Sequence, residues 1–391
     1  MKKVSAILMA ALAFAACSTD DNYNLDYFTQ KYKQSETPEP TPDPTPEPTP
    51  ESDTLYVAIA YNATTASLTG DVDKITVSQT GADVTLTSTS EKYLQVTLSG
   101  TATDGSLLVN SQNAWELVLN GLQLTNADGP AINNQCSKWF YVTLADGTEN
   151  TLSDKSDYTE QTFDQKGTLF SEGQIRFQGT GKLTVNGNVK NGIACDDYIV
   201  IDNGTINVNT SEDGSNGIKA NDGFTMNGGT LTIDVKSDGG RGIRSESFTT
   251  ISGGTLTITT SGDCEMETVD GVQDASSAAG IKCDSLFTMT DGTLTIKSTG
   301  DGGKGINCSQ NVEFKGGTLT ITTTGSNEEA KPKGIKSDTG IIVSGGSLSV
   351  NVKKSWACDN GTDSDTPADH LTVEGTPATK TITQKAVTII Y

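Results

Sequence analysis

The chain has 391 residues, with 49 Asp and Glu against 27 Lys and Arg, a formal net charge of −22 and one histidine, His370. This balance argues against nucleic acid or an anionic membrane surface as a partner; it suits divalent cations, or simply a solvated acidic coat. A lone histidine argues against a His-ligated zinc centre and against a Ser-His-Asp mechanism.

In chain order, "MKKVSAILMAALAFAAC" joins a basic start, an apolar run and small residues ahead of Cys17, which reads as a secretion signal over 1–16. "FAAC" resembles a bacterial lipobox, so Cys17 is expected to carry lipid at a new N-terminus. "STDDN" resembles the acidic export tag of surface lipoproteins, which places the protein on the outer membrane facing outwards, held there by the lipid alone. The remainder of 17–53 is dominated by "ETPEPTPDPTPEPTPESD". Alternating prolines make this an extended, semi-rigid spacer rising ~3.1 Å per residue. Residues 54–104 are β-rich without a clear period and read as an N-terminal cap, 105–366 as the repeated body, and 367–391 as a C-terminal cap.

The body repeats a Gly-Ile step at Gly192, Gly217, Gly242, Gly280, Gly305 and Gly334. A second glycine follows each at a constant offset: Gly204, Gly229, Gly254, Gly292, Gly317 and Gly346. Only the stretch before the next Gly-Ile varies in length, so a fixed frame alternates with a free segment. Apolar residues alternate within the frame, as in Leu231/Ile233 and Leu256/Ile258, and Gly, Asp and Asn break the runs. Period two with regular turns means strands. Three short strands per ~25-residue unit predict an all-β parallel β-helix whose coils stack about 4.8 Å apart. Sandwiches and propellers need longer units and hairpins. "LFSEGQIRFQGTGKLTV", from Leu169, overlays the repeat as an earlier coil.

Cys195, Cys283 and Cys308 share an inward column of small residues, either as free thiols or, for Cys283 and Cys308, as a bridge between adjacent coils. Cys358 in "WACD" is expected to extend that column, by match to "IACD".

Outward positions beside the Gly-Ile step carry Lys219, Arg244, Lys282, Asn307 and Lys336 in one column; Asp196, Asn221, Glu246, Asp284 and Asp338 fill the next. This two-sign face is a candidate ligand surface through Lys219, Arg244, Glu246, Lys282, Asp284 and Lys336, and equally an ion-paired solvated face. "DGGRGIR" and "DGGKGIN" place Asp238 and Asp301 at the corner leading into a coil, and Asp213 holds the same place. A longer free segment, "GDCEMETVDGVQDASSAA", holds five acids including Asp263 and Asp270 and no base. Calcium, with six to eight oxygen ligands, would relieve such crowding; acidic turns also arise for conformational reasons alone. Outward Thr232, Thr257, Thr295 and Thr320 form a hydroxyl column that could meet a polysaccharide or ice, or reflect β-propensity.

The ordered combination "WELVLNGLQLTNADGPAI", "VTLADGTENTLSD" and repeated "GIK…GGTLTI" resembles bacterial secreted carbohydrate-binding β-helix proteins. The resemblance implies a right-handed helix of pectate-lyase-like shape. It also implies bound calcium, at Asp213, Asp238 and Asp301 first and at Asp263 and Asp270 next, and binding of plant-type polysaccharide such as cellulose or acidic galacturonan without established catalysis. A monomer is expected. Were the protein a polysaccharide lyase, Lys219, Arg244 or Lys282 would be the base. A third reading is a calcium-stiffened stalk.

Overall fold

The structure, a computed structural model, describes residues 53–155, 157–269, 272–276, 278–326, 330–374, 379–384 and 387–390. The signal segment, Cys17, the spacer up to residue 52, Asp270, and the side chains of Glu267 and Asp274 lie outside the described residues. The rest is a parallel β-solenoid of about ten turns. The coil beginning at Asn191 shows the unit: strands Asn191–Cys195, Tyr198–Ile201 and Thr205–Thr210. First strands stack into a twelve-stranded sheet, and second and third strands into the two faces of a 23-stranded sheet. No α-helix occurs among the described residues.

The register is the repeat itself. Ile193, Ile218, Ile243, Ile281, Ile306 and Ile335 pair in one unbroken inward column. Leu231, Leu256, Leu294 and Leu319 form another, each fully buried. Each such side chain gains about 1.5–3 kcal/mol over an exposed one. The alternate residues Thr232, Thr257, Thr295 and Thr320 face outwards, as the period of two requires.

The two glycines of the unit have different causes. Gly204, Gly229, Gly254, Gly292, Gly317 and Gly346 all take φ between 66° and 100°, a left-handed turn that a side chain opposes. The Gly-Ile glycines do not. A Cβ on Gly217, Gly242 or Gly280 would lie 2.3–2.4 Å from the Cγ2 of Ile233, Ile258 or Ile296 across the coil. They are small because the interior is narrow there.

Cys195, Ala220, Ser245, Cys283, Cys308 and Ser337 are in register as expected. Cys283 and Cys308 are free thiols with their sulfurs 3.1 Å apart. Cys358 does not extend this column: it pairs with Ile335, and Asp359 with Lys336. The last coil enters from a different free segment, so the match of "WACD" to "IACD" is offset by two residues. The long free segment is an antiparallel hairpin, Glu265–Val269 with Val272–Ser276, standing off the coil. Parallel pairing reaches back to Asp83–Ser88 in one sheet and, through Tyr93–Ala102, to Thr54–Ala63 in the other. Thr65–Gly70 then folds back antiparallel on Thr54–Ala63, Thr76–Thr80 on Asp83–Ser88, and at the far end Val387–Ile390 on Thr379–Gln384, covering these edges.

Candidate functional site

The two-sign face on the first strands is a zipper of ion pairs running from coil to coil. Arg244 reaches one coil ahead to Asp284 at 2.6 Å, and its other nitrogen donates to the Ser245 carbonyl at 2.6 Å; its side chain is only 9 % exposed. Lys219 reaches Glu246 at 3.6 Å, Lys336 meets Asp338 at 2.7 Å, and Lys333 pairs with Asp359. Lys282 stands between Arg244 and Asn307 in the same column. The sequence thus placed Lys219, Arg244, Glu246, Lys282, Asp284 and Lys336 on one face. A buried guanidinium locked to a carboxylate is held in its charged form and is ill suited to take a proton.

The face ends in an acidic cluster that sequence reasoning passed over. Carboxylate oxygens of Asp164, Glu172 and Asp196 lie within 4.8 Å of one another. Lys166 stands among them, its Nζ 2.7 Å from Asp164 and 2.7 Å from Asp196. Burial alone would lower the Lys166 ammonium, but its hydrogen bonds to Asp164 and Asp196 outweigh that and hold it above the usual lysine range. Burial, then the charges of Asp196 and Asp164, raises Glu172. The signal was present: overlaying "LFSEG" on "IACDD" stacks Glu172 beside Asp196.

At the corner, the predicted acids form a ladder. The Asp213 carboxylate accepts the Asp238 backbone N–H at 3.2 Å, Asp238 that of Asp263 at 2.7 Å, Asp263 that of Asp301 at 2.7 Å, and Asp301 that of Ser326 at 2.7 Å. Each exposed carboxylate therefore caps the following coil with one oxygen and keeps the other towards solvent. Asp263 belongs to this ladder, two residues before the inserted hairpin begins at Glu265.

A polar cleft of about 260 Å³ opens on the third-strand face of the middle coils, lined among others by Asn186, Asn209, Asp234 and Lys236. Asn209 donates to Asn186 at 2.9 Å, and Asn186 to Ser153 at 3.0 Å. The amide ladder occupies an outward strand position that later units fill with Asp234, Thr259, Lys297, Thr322 and Asn351, so no single motif marks it.

The fold and these surfaces define a parallel β-solenoid with charged and amide-rich faces. A family model described as carbohydrate-binding domain-containing protein matches residues 80–246, 234–327 and 288–376, and the chain belongs to that family. A carbohydrate-binding domain-containing protein of Acetivibrio thermocellus is 34 % identical over 143 residues, covering 35 % of this chain and 48 % of its own. The chain thus spans about half the length of that curated relative. A solved structure, described as the polysaccharide lyase-like protein from C. thermocellum in a gadolinium derivative, superposes with a TM-score of 0.52 at 26 % identity, covering 66 % of this chain and 96 % of its own.

Proposed function

We propose that this protein binds polysaccharide of the plant cell-wall type, in a calcium-dependent way, at the outer surface of the cell from a lipid anchor on Cys17. Family membership across residues 80–376 is the observation that carries the glycan-binding reading. Calcium is supported by the Asp164–Glu172–Asp196 cluster, a set of hard oxygen donors around a position now neutralised by the ammonium of Lys166. A cation there would draw in the three acids and release the lysine. The solvent-side oxygens of Asp213, Asp238, Asp263 and Asp301 are a second, more open set; Asp270 belongs to the same proposal. That the similar solved structure is a gadolinium derivative adds weight, since a lanthanide is a hard cation that seeks oxygen ligands. That structure's description as polysaccharide lyase-like favours a lyase as the second reading, and the ion pairs on Arg244 and Lys219 count against it.

The test is retention of the full chain on cellulose and on immobilised polygalacturonate, with calcium and then with EDTA, while absorbance of unsaturated uronate is followed. Retention that EDTA abolishes, with flat absorbance, is the expected result. Rising absorbance makes the protein a lyase. A calcium-raised melting temperature without retention makes it a stiffened stalk.

A further inference from the structure

The second-strand face of the early coils gathers aromatic rings beside charged and amide groups. Its outward residues are paired in register, Glu116 with Tyr141 and Tyr141 with Arg176, beside Val118, Thr143 and Gln178. Trp139, at the corner before this strand, stacks on Tyr141 with centroids 5.9 Å apart and meets Tyr198 edge-on at 5.3 Å. Tyr198 lies two coils further along, so the rings form one surface across the stack. The Arg176 guanidinium lies 5.9 Å from the Trp139 ring. Trp139 and Tyr198 are half-buried, neither sealed inside the coil nor standing free.

The polar half of the face is prearranged. Gln95 donates to one oxygen of Glu116 at 2.7 Å, and Thr143 donates to the other at 2.5 Å. Gln178 donates to Thr143 at 2.9 Å, which fixes the hydroxyl. Arg176 uses Nε for Asp202, at 2.5 Å, and its side chain is 13 % exposed. Aromatic rings beside fixed, bidentate polar groups are the combination that recognises a pyranose: apolar C–H faces lie on the rings while hydroxyls meet the acid and the guanidinium.

Charge selects among glycans. Arg176 is already matched by Asp202, and the donors to Glu116 are all neutral. Among these contacts the Glu116 carboxylate therefore meets no cation. A uronate would bring a second carboxylate to it, whereas a sugar hydroxyl donates to it. We propose that this face seats a neutral polysaccharide chain of the cellulose type, with Trp139 and Tyr198 as the platform and Glu116 and Arg176 as the anchors. The inference rests on the glycan-binding reading and narrows it: acidic galacturonan would need a different surface.

The experiment titrates the full chain with cellohexaose, following tryptophan emission, and measures retention on cellulose and on polygalacturonate. Trp115 is fully buried against Phe140, so Trp139 is the tryptophan placed to respond at this face. Trp139→Ala and Glu116→Gln are each expected to weaken the neutral ligand about tenfold, and Trp139→Phe to keep most of the affinity. Unchanged melting curves separate loss of the site from loss of the fold, and Glu116→Gln, nearly isosteric, stands in if Trp139→Ala misfolds. Cellulose binding that survives both substitutions, or wild-type retention on polygalacturonate alone, overturns this site while glycan binding stands. Retention on neither polymer overturns both.

Discussion

The Gly-Ile step makes a quantitative claim about the interior, and Gly242→Ala tests it. Gly242 is outside the left-handed region, so conformational freedom is not its reason for being glycine. The added Cβ would lie 2.3 Å from Ile258 Cγ2 and 2.5 Å from the Gly280 carbonyl oxygen. Carbon pairs are comfortable at about 3.5–4.0 Å, so the overlap exceeds an ångström. Ile258 is fully buried and held in register between Ile233 and Ile296, which denies it room to retreat. Overpacking of this kind costs about 1–3 kcal/mol or more. Ile258→Ala alone leaves a cavity and costs about 2–5 kcal/mol. The double variant vacates the space the new methyl needs, so its cost should fall short of the sum by on the order of 1 kcal/mol, a coupling typical of residues in contact. Guanidinium unfolding followed by circular dichroism, at fixed calcium, gives all four free energies. Additivity within about 0.5 kcal/mol would refute the steric account and leave approach to the Gly280 carbonyl as the sole reason for glycine.

Glu172 sets a pH dependence. Its carboxyl is raised by burial, then by Asp196 and Asp164, so the folded protein holds this proton more tightly than the unfolded chain. The stability so gained is full below the ordinary glutamate range and lost as pH rises through the raised value. In EDTA, Glu172→Gln should raise stability at neutral pH and flatten the gain on acidification; a melting series from pH 4 to 8 showing parallel curves for both proteins refutes it. Asp284→Ala strands the Arg244 guanidinium and should cost about 3 kcal/mol, near the low end for a broken buried pair because the Asp284 side chain is 23 % exposed. Replacing both partners by Met and Leu should recover most of that loss in the same denaturation assay. Burial raises the Cys195 and Cys283 thiols and pushes Cys358 up to about 12. In the native protein at pH 8, Ellman's reagent should therefore reach Cys264, half-buried, ahead of Cys195, Cys283 and Cys358.

The solenoid was legible because each coil repeats one interior. The isoleucine column, the turn glycines and the outward threonines all follow from period two read against a constant offset. The two-sign column was legible for the same reason, but the face around Glu116 was not, since it joins residues that no local window contains: Trp139 and Tyr198 touch across two coils, and Glu116 gathers Gln95, Thr143 and Gln178 from three different strands. Those strands belong to the degenerate early coils, where the Gly-Ile template is absent and the register cannot be counted. The corner ladder marks the boundary between the two cases. Measured backwards from the Gly-Ile step, Asp213, Asp238 and Asp301 share an offset that Asp263 does not, because the hairpin intervenes. Measured forwards from the left-handed glycines Gly204, Gly229, Gly254 and Gly292, all four acids lie nine residues on, and Ser326 lies nine after Gly317. The frame therefore runs from the Gly-Ile step through the turn glycine to the corner residue, whose backbone N–H is claimed by the preceding coil's carboxylate. Extra chain enters only after that hydrogen bond is made. Insertions there leave the stack intact, and for the same reason the free segment is where coils of this body can diverge without unfolding it.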